Sequence, residues 1–531
     1  MSTITKPTDA MLVVIRIMRP PHSPTPGSVG RQPIPPESSA ARLARTIRVA
    51  CTGVYVRGFV MFKNLRSPSD GPPLSRRKFI KTAGLASAAV ALAGCSDGAS
   101  GSGSSSRGPV ILIGGGLAGL QALDLLRRRG FDARLYEASD RVGGRIYSLR
   151  SSSAGGLVAE AGAERIRPAH LRVLGLARQL GITPVLYPPP QNPYLLSING
   201  GEYRFRTPED IPGTPLEGLS EAEKRGVPSV HLELAAEAPP VADDDSRTAW
   251  QWLKDNGMTA AGEVYVRAFA PFPLDRLPAR CFQRYALAER RALGQVKTLS
   301  GGVDTLTEGL AQRHPGHITR GFKAVSITQR ADQVVVRAAN GTTVSAPLAV
   351  ICLPVPVLKS LAFEGGTPKA LADRIAGLGI EQEIKIGVEV AGAAFSGSNA
   401  PEMAFRPEFP RVVWPSPRRL DDGCRVLNMM AVNEDVPLVA AAANGGVQGI
   451  TALLEPRLPR LMPHARQILF HDFSADPLAG GAWTWPKNGA PPPKGLIRSG
   501  RLVFAGSDLS AYPGWMEGAL ASAEAAVATL G

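Results

Sequence analysis

The apolar positions of residues 110–136 predict a strand, a helix and a second strand in succession. Val110–Ile113 is a run of four apolar residues, and Leu120–Arg129 has helical apolar spacing with a basic end. A second strand-like segment, Ala133–Tyr136, comes next. Short continuous apolar runs are typical of buried strands, whereas apolar positions three and four apart are typical of amphipathic helices. The pattern therefore predicts a βαβ unit with parallel strands.

After residue 168 the chain changes between helical and strand-like spacing. Helical spacing covers about His170–Leu180, where His170 is a helix-start residue, and Trp250–Leu293. Gln191–Asp245 is rich in Pro, Gly and acidic residues and predicts only loops and short elements. The elements predicted later in the chain are a Gly-Gly turn and helix in Leu299–Arg313, strands in Ala324–Ala338, Thr342–Cys352 and Arg501–Ser510, and an Ala-rich helix over Trp515–Leu530.

A glycine motif lies at the first strand-to-helix turn. Gly114, Gly116 and Gly119 form GxGxxG, and Glu137 ends the second strand 23 residues after Gly114. Glycine allows the tight turn, the approach of a pyrophosphate and close packing of helix on strand. The helix N-terminus offers N–H groups to phosphate, and the acid can accept the ribose hydroxyls. This arrangement predicts a dinucleotide site.

The run EASDRVGGRI, which begins at Glu137, adds Arg141, Gly143, Gly144 and Arg145. This suits a second loop that closes over the same pyrophosphate with bidentate guanidinium donors. The run resembles the flavin-containing amine oxidase family, which includes monoamine oxidases, L-amino-acid oxidases and tryptophan 2-monooxygenases. The cofactor that this resemblance implies is FAD.

The resemblance implies an α/β protein with two domains that are each discontinuous in sequence. The expected FAD-binding domain, of Rossmann type, comprises residues 109–168, 295–370 and 487–531. The expected substrate domain, a mixed sheet with helices, comprises residues 169–294 and 371–486. A chain of 531 residues with 44% hydrophobic content is long enough to bury cores for both.

A second motif, FAGSDLSAYPGWMEGALASAEAA, lies near the C-terminus. In the family this strand and helix lie under the flavin, which places Asp508 near the ribityl-phosphate and the helix start near the pyrimidine end of the ring. The helix dipole there stabilises an anionic reduced flavin. The residues expected to contact FAD are Gly114, Gly116, Leu117, Ala118, Gly119, Glu137, Ala138, Arg141, Gly143, Gly144, Arg145, Ala163, Glu164, Arg165, Val325, Gly506, Ser507, Asp508, Trp515, Met516 and Ala519.

Two tryptophans match the aromatic positions that flank the substrate in amine oxidases. Trp483 lies in GGAWTW and Trp515 in PGWMEG. Flat rings at these positions form an apolar slot for the amine. Ala482 stands where monoamine oxidases carry the cysteine that links FAD covalently, so the resemblance implies noncovalent FAD here.

Lys385, in EIKIGVEV, lies on a predicted strand whose neighbours Ile384 and Ile386 point to the opposite face. This alternation predicts a charge directed into a cavity. Lys385 matches the family lysine that holds a water against flavin N5 and assists the reaction with oxygen.

The segment EAGAERI, Glu160–Ile166, decides the expected substrate class. It resembles the EAGAMRxP pattern of L-amino-acid oxidases, whose arginine clamps the substrate carboxylate. Arg165 matches that arginine, but Glu164 replaces an apolar residue and the proline comes one position late. Four alternatives stay open: Arg165 is the clamp, Glu164 neutralises Arg165, Arg167 is the clamp, or Arg165 is a structural FAD contact.

The expected reaction is hydride transfer from the α-carbon of an L-amino acid to FAD. The imine hydrolyses to a keto acid and ammonia, and molecular oxygen is reduced to hydrogen peroxide. The alternatives are the oxidative decarboxylation of tryptophan 2-monooxygenases, a monoamine or polyamine oxidase, and an FAD-binding dehydrogenase or redox protein that passes electrons to a quinone. No motif identifies the substrate pocket within residues 191–293, and the oligomeric state is open.

The formal charge of +15 does not indicate a nucleic-acid-binding protein. Residues 1–95 hold fourteen Lys and Arg against three Asp and Glu, so most of the excess lies in the N-terminal region. The five cysteines are far apart, and the seven histidines lack metal-ligand spacing. Neither a disulfide framework nor a metal site is predicted.

Residues 61–95 predict a Tat export signal with a lipobox. SRRKFIK precedes the short apolar run Thr82–Gly94, and LAGC ends at Cys95, the predicted lipidated residue. Residues 96–108 predict a flexible tether. The protein is therefore expected to be exported by the Tat machinery and anchored to the membrane outside the cytoplasm. Residues 1–60 fit no part of this signal, and we expect translation to begin at Met61.

Overall fold

The computed structural model describes residues 107–153, 156–242, 244–270, 272–396, 401–490 and 495–530, together with two short strands, Ala50–Cys51 and Val54–Tyr55, that pair with each other. The export signal, Cys95 and most of the tether lie outside the described residues. From residue 107 onward the described residues belong to one compact unit. Within the described part of the chain, no helix combines the length and apolar character that crossing a membrane requires.

A six-stranded sheet lies at the centre of the predicted cofactor domain. Its strands, in spatial order, are Ile318–Thr319, Phe131–Tyr136, Arg107–Ile113, Leu348–Ile351, Leu502–Phe504 and Ile497–Ser499, parallel except for the last pair. Val110 and Leu112 pack into one hydrophobic core, and Ile111 and Ile113 pack into another. Both faces of the strand are buried, which explains its continuous apolar run.

The two glycine-motif segments meet on one face of this sheet. Helix Leu117–Arg128 packs against the C-terminal helix Met516–Ala528, although nearly 400 residues separate them. Leu120, Leu123 and Ala523 are fully buried between these elements. The tertiary contact therefore brings the first and last motifs of the chain to the same site.

A seven-stranded sheet forms the second large layer. Its strands, in spatial order, are Ala465–Asp472, Glu383–Val390, Arg425–Val432, Val412–Arg419, Ala404–Phe405, Tyr194–Ile198 and Gly201–Phe205. Ile384 and Ile386 pack into a core with helices Val436–Ala443 and Gly446–Leu454, so they face away from Lys385 as predicted. The protein thus has the expected α/β architecture of a parallel cofactor-domain sheet and a separate mixed sheet.

Smaller elements complete the described fold. A four-stranded sheet contains Thr343–Ala346, Val334–Ala338, Ala324–Gln329 and Ala362–Glu364, and three strand pairs are Ser148–Arg150 with Val158–Glu160, Pro184–Leu186 with Lys297–Leu299, and Leu378–Glu381 with Trp483–Pro486. The other described α-helices are Leu171–Gln179, Gly213–Leu216, Glu221–Gly226, Val230–Glu237, Ala249–Asp255, Ala260–Phe269, Ala279–Ala292, Thr305–Gln312, Val355–Ser360 and Lys369–Ala376. His170 occupies the position directly before Leu171–Gln179, as predicted, although its side chain makes no capping hydrogen bond.

The segment 342–352 belongs to two sheets. Thr343–Ala346 lies in the four-stranded sheet, and Leu348–Ile351 lies in the middle of the parallel sheet. Pro347 separates them. Proline has no N–H to donate to a sheet ladder, so the break between the two strands falls where pairing is interrupted.

Candidate active site

One cavity of about 1290 Å³ collects the predicted site residues. Pockets for drug-sized ligands typically measure about 300–1,000 Å³, so this volume can hold a dinucleotide and a small substrate. Of the predicted cofactor and catalytic residues only Gly119 does not line it. Those that do are Gly114, Gly116, Leu117, Ala118, Glu137, Ala138, Arg141, Gly143, Gly144, Arg145, Ala163, Glu164, Arg165, Val325, Lys385, Trp483, Gly506, Ser507, Asp508, Trp515, Met516 and Ala519.

The three motif glycines have different tasks. Gly114 has φ +104°, a conformation that favours glycine. A Cβ on Gly119 would come 2.0 Å from the carbonyl oxygen of Gly114, so this glycine allows the helix to pack on the strand. A Cβ on Gly116 would meet nothing within 4 Å, because Gly116 borders the open cavity. The space beside Gly116 and the adjacent helix N-terminus suit a pyrophosphate.

The backbone holds the Glu137 carboxylate in place. Gly115 N donates to Oε2 at 2.5 Å, and Ser139 N donates to Oε1 at 2.8 Å. Each carboxylate oxygen can accept a further hydrogen bond. Glu137 is therefore oriented at the cavity wall, at the position predicted for the ribose contact.

The second glycine loop lies directly on the first. Gly143 N donates to Gly115 O at 2.9 Å. The two arginines were predicted to donate to the pyrophosphate, but the structure shows both donating to protein groups. Arg141 donates to loop carbonyls, including Gly144 O at 2.8 Å. Arg145 donates to Asp508 Oδ1 at 2.7 Å and to Ala482 O at 3.0 Å. The guanidinium groups therefore brace the loop and the cavity wall, and the pyrophosphate contact expected of them stays a prediction.

The C-terminal motif supplies the opposite side of the cavity. Asp508 is 1% exposed, and its Oδ2 accepts a hydrogen bond from Val355 N at 3.0 Å. Helix Met516–Ala528 starts after Trp515 without a side-chain cap, so its first N–H groups carry partial positive charge toward the cavity. Glu517, in the first turn, pairs with Arg172. These features suit a helix that supports the flavin, and that role stays a prediction.

Lys385 reaches the cavity from the seven-stranded sheet. Its cross-strand neighbours Met430 and His471 line the same cavity. Lys385 Nζ donates to Gly162 O at 2.9 Å and to Glu164 Oε2 at 2.8 Å. Burial lowers the pKa of Lys385, but the charge of Glu164 opposes this and the net direction is upward. Lys385 therefore stays protonated, and one of its three N–H bonds remains for another partner.

Glu164 is the centre of a buried hydrogen-bond network. Its Oε1 accepts from Tyr187 OH at 2.6 Å and from Trp414 Nε1 at 3.0 Å, and its Oε2 accepts from Lys385. Burial raises the pKa of Glu164, but the charges of Lys385 and Arg165 outweigh this and hold it below its ordinary value. The acid at this position therefore balances the charge of Lys385.

The two candidate clamp arginines differ in their partners. Arg167 is buried, pairs with Glu289 and lies over the Trp515 ring at 3.9 Å. Arg165 is half-buried, lines the cavity and lies 5.2 Å from the Trp414 ring, and among the described residues it has no hydrogen-bond or ion-pair partner. Arg165 thus presents an unpaired positive charge to the cavity.

The aromatic wall is larger than the predicted pair of tryptophans. Trp483 lies against Gly514, next to Trp515 in the chain, and its ring is 5.8 Å from that of Phe272. Phe272 contacts Tyr285 edge to face at 4.3 Å. These rings and Trp414 line the cavity around Lys385 and Arg165. They give the substrate end an apolar enclosure.

Comparison with known proteins agrees with this geometry. The model of the flavin containing amine oxidoreductase family matches residues 117–530, which is more than half of the chain. The chain belongs to this family. It is a flavin amine oxidoreductase and uses FAD.

Individual relatives of this flavin amine oxidoreductase are distant. (S)-6-Hydroxynicotine oxidase of Paenarthrobacter nicotinovorans is 26% identical over 445 residues, which is 78% of this chain and 98% of that protein. A flavin-containing amine oxidase of Danio rerio is 25% identical, and the alignment spans 46% of this chain and only half of that protein's length.

Solved structures share the fold. Putrescine oxidase bound to putrescine has a TM-score of 0.66 at 17% identity, and 80% of this chain covers 98% of that one. Cyclohexylamine oxidase from Brevibacterium oxydans has a TM-score of 0.65 at 18% identity, with the same coverage.

The residues of this flavin amine oxidoreductase fit FAD. The open space at Gly116, the uncapped start of helix Leu117–Arg128 and the oriented carboxylate of Glu137 suit the adenosine and pyrophosphate. The start of helix Met516–Ala528 suits the pyrimidine end of the flavin ring. The described residues contain no group of three or more metal-ligating side chains.

Two glycine substitutions should separate folding from FAD binding. Gly116→Ala meets no atom and needs no change of φ, which is −71°, so the protein should fold while the methyl group occupies space beside the pyrophosphate. We expect normal thermal unfolding of the apoprotein and about tenfold weaker FAD binding, a loss of about 1.4 kcal/mol. Gly119→Ala places a Cβ against backbone and should lower the unfolding temperature instead. Flavin absorbance per protein and calorimetry distinguish the two, and unimpaired FAD binding by Gly116→Ala would contradict this assignment.

Several cavity residues carried no usable local signal in the sequence. Trp414 reaches Glu164 from a distant segment, and residues of helix Ala279–Ala292 line the cavity from the region in which no motif was found. Tyr187 also donates to Glu164 but does not line the cavity. Glu383 could have been identified, because it lies two residues before Lys385 and strand alternation puts both on one face.

Proposed function

We propose that this protein is an FAD-dependent oxidase of L-amino acids. The observation that carries the proposal is the unpaired guanidinium of Arg165 in the cavity, beside Lys385 and Trp414. A carboxylate bound there would form charge-assisted, bidentate hydrogen bonds with it. Arg167 is a weaker candidate because Glu289 already neutralises it.

The charge balance around Arg165 favours an acid ligand. Glu164, the adjacent acid, accepts hydrogen bonds from Lys385, Tyr187 and Trp414. Glu164 is hydrogen-bonded to Lys385, and no side chain in the described part of the chain forms a hydrogen bond or ion pair with Arg165. A half-buried cation in a cavity is stabilised by a counter-ion, and the α-carboxylate of an amino acid would supply one.

Each side chain of the site has a separate task in this proposal. Arg165 holds the carboxylate, and Trp483 and Trp515 exclude water and align the α-carbon. Lys385 keeps one N–H available for a water molecule at the reacting end. Bound FAD supplies the chemistry of hydride acceptance, and Ala482 offers no sulfur at the family's linkage position, which supports noncovalent binding.

The test compares amino acids with the amines that result from their decarboxylation. Suitable pairs are L-phenylalanine with 2-phenylethylamine, L-tryptophan with tryptamine, and L-ornithine with putrescine. We expect amino acids to bleach the flavin anaerobically at least about 10²-fold faster at equal concentration, because an amine would leave Arg165 unpaired. Product analysis then separates a keto acid from the amide of a monooxygenase.

A second candidate function is the oxidation of simple amines. It is favoured by the carboxyl group of Glu383, which lines the cavity near Lys385 and could attract a cationic substrate. The relatives named above include oxidases of amines. Faster bleaching by the amines of the three pairs would favour this function and contradict the role proposed for Arg165.

A further inference from the structure

Glu383 is a buried acid to which the proposed oxidation of amino acids assigns no role. It begins strand Glu383–Val390, is 7% exposed and lines the cavity. Its Oε1 is buried and has no hydrogen-bond partner among the residues that the structure describes. Buried carboxyl oxygens without partners are costly, so a group that binds in the cavity is expected to satisfy this one.

Glu383 follows strand Leu378–Glu381, which pairs with the strand that carries Trp483, after one intervening residue, and it begins the strand that carries Lys385. Glu381, two residues earlier, pairs in register with Trp483, and Glu381 O accepts a hydrogen bond from Ala482 N at 2.9 Å. Lys385, two residues later, lies on the same strand face as Glu383. A substrate amine held against the aromatic residues and close to Lys385 is therefore adjacent to Glu383.

No cation in the described part of the chain forms a hydrogen bond with Glu383. Lys385 Nζ donates to Glu164 and to Gly162 O. The charged groups that act on Glu383 are Lys385 on its own strand and Glu164 and Arg165 from the loop after Val158–Glu160. Burial raises the pKa of Glu383 and Glu164 adds to this, while Lys385 and Arg165 oppose it. The raised pKa makes Glu383 a better proton acceptor than an exposed carboxylate.

We propose that Glu383 is a catalytic residue that binds the substrate ammonium group and accepts its proton. Aliphatic amines have pKa values of about 10, so the substrate arrives protonated at neutral pH. An ammonium nitrogen has no lone pair with which to form a C=N bond. Transfer of one proton to the Glu383 carboxylate gives the neutral amine and a carboxylic acid.

The remaining bond and electron changes of the reaction follow from this proton transfer. The α C–H bond breaks with its electron pair going to FAD, the oxidant, and the nitrogen lone pair forms the C=N bond. The substrate is oxidised by two electrons and leaves as an iminium that water hydrolyses. Glu383 releases its proton to solvent before the next substrate binds.

This inference rests on the amine-oxidation part of the proposed function and not on the carboxylate part. Glu383 would take the proton of an amino acid or of a simple amine. Loss of carboxylate discrimination after substitution of Arg165 therefore leaves the role of Glu383 intact. Conversely, an unchanged pH profile after substitution of Glu383 leaves the role of Arg165 intact.

The experiment measures anaerobic flavin reduction from pH 6 to 10 in the FAD-loaded proteins, with the substrate pair named above that reacts fastest. For Glu383→Gln we expect a loss on the order of 10²-fold at pH 7, typical of a missing general base. The loss should shrink as the pH rises, because free amine becomes available from solution. Flavin content should not change.

Glu389→Gln is the matched control. Glu389 is on the same strand and face, is fully buried and also has a carboxyl oxygen without a partner, but it does not line the cavity. The pH profile of Glu389→Gln should match that of the unsubstituted protein.

A ligand experiment uses 3-phenylpropanoate, a carboxylate without an amine. It should perturb the flavin spectrum of Glu383→Gln at the same concentration as in the unsubstituted protein or at a lower one, since a neighbouring negative charge has been removed.

Two results would overturn the proposal. One is a pH profile of Glu383→Gln that superimposes on that of the unsubstituted protein, and the other is loss of FAD from the folded variant, which would make Glu383 a cofactor residue. If Glu383→Gln does not fold, Glu383→Asp keeps a carboxylate one methylene shorter. Glu383→Asp should react more slowly, but the shape of its pH profile should be unchanged. A pH profile that is set by the pKa of the substrate amine would contradict the proposed role.

Discussion

Arg165→Met is expected to remove the preference for amino acids over the corresponding amines that we propose for this enzyme. Two charge-assisted hydrogen bonds to the carboxylate are lost, each of about 1.5–3 kcal/mol, so flavin reduction by the amino acid should fall on the order of 10²-fold or more. Reduction by the amine should change little, because that substrate never used the guanidinium. Methionine keeps much of the length and apolar stem, which limits the effect to charge and hydrogen bonding.

A graded variant and a control sharpen this prediction. Arg165→Lys keeps the charge but loses the planar fork, so it should retain only part of the discrimination. Arg178→Met removes an exposed arginine outside the cavity and should leave both substrates unaffected. Equal losses for amino acid and amine in Arg165→Met would show that Arg165 supports the cofactor or the fold and does not bind the carboxylate.

Lys385→Met is expected to slow the reaction of the reduced enzyme with oxygen on the order of 10²-fold, the usual effect of removing one preorganised charged donor. Reduction by substrate should change by less than about tenfold. The fold should persist, because Glu164 keeps its hydrogen bonds from Trp414 and Tyr187 after the lysine is gone. Stopped-flow mixing of the reduced protein with oxygen measures the reaction with oxygen separately from reduction by substrate.

The control for this variant is Lys297→Met. Lys297 is also half-buried, but it lies on strand Lys297–Leu299 and does not line the cavity. Both half-reactions should be unaffected by that change. Unchanged oxygen reactivity in Lys385→Met would refute the role assigned to Lys385 and favour a lysine that serves only to balance Glu164.

The network around Glu164 is compatible with the clamp proposed for Arg165, although an acid stands at this position instead of an apolar residue. If Glu164 paired with Arg165, a substrate carboxylate would have to compete with it. In the structure its oxygens accept from Lys385, Tyr187 and Trp414 instead. The sequence left the choice between Arg165 and Arg167 open, and the ion pair of Arg167 with Glu289 is the observation that separates them.

Local sequence was sufficient for the cofactor half of the site. The glycine turn, Glu137 and the second glycine loop follow one another within 32 residues, and backbone geometry alone makes glycine necessary at several of these positions. The direction of Lys385 also followed from local pattern, because side chains alternate along a strand. The architecture was predictable for the same reason, since buried parallel strands and amphipathic helices leave distinct apolar patterns.

The partners of the charged side chains depend instead on residues that are distant in sequence. Lys385 and Glu164 are separated by 221 positions, and Arg145 and Asp508 by 363. Each of these side chains is compatible with several partners, and the free energy of a buried charge depends on which of them lies within hydrogen-bonding distance. Motifs therefore identified FAD and the amine oxidase family, whereas three-dimensional packing placed Glu383 at the cavity wall and left Arg165 without a hydrogen-bond or ion-pair partner among the described residues.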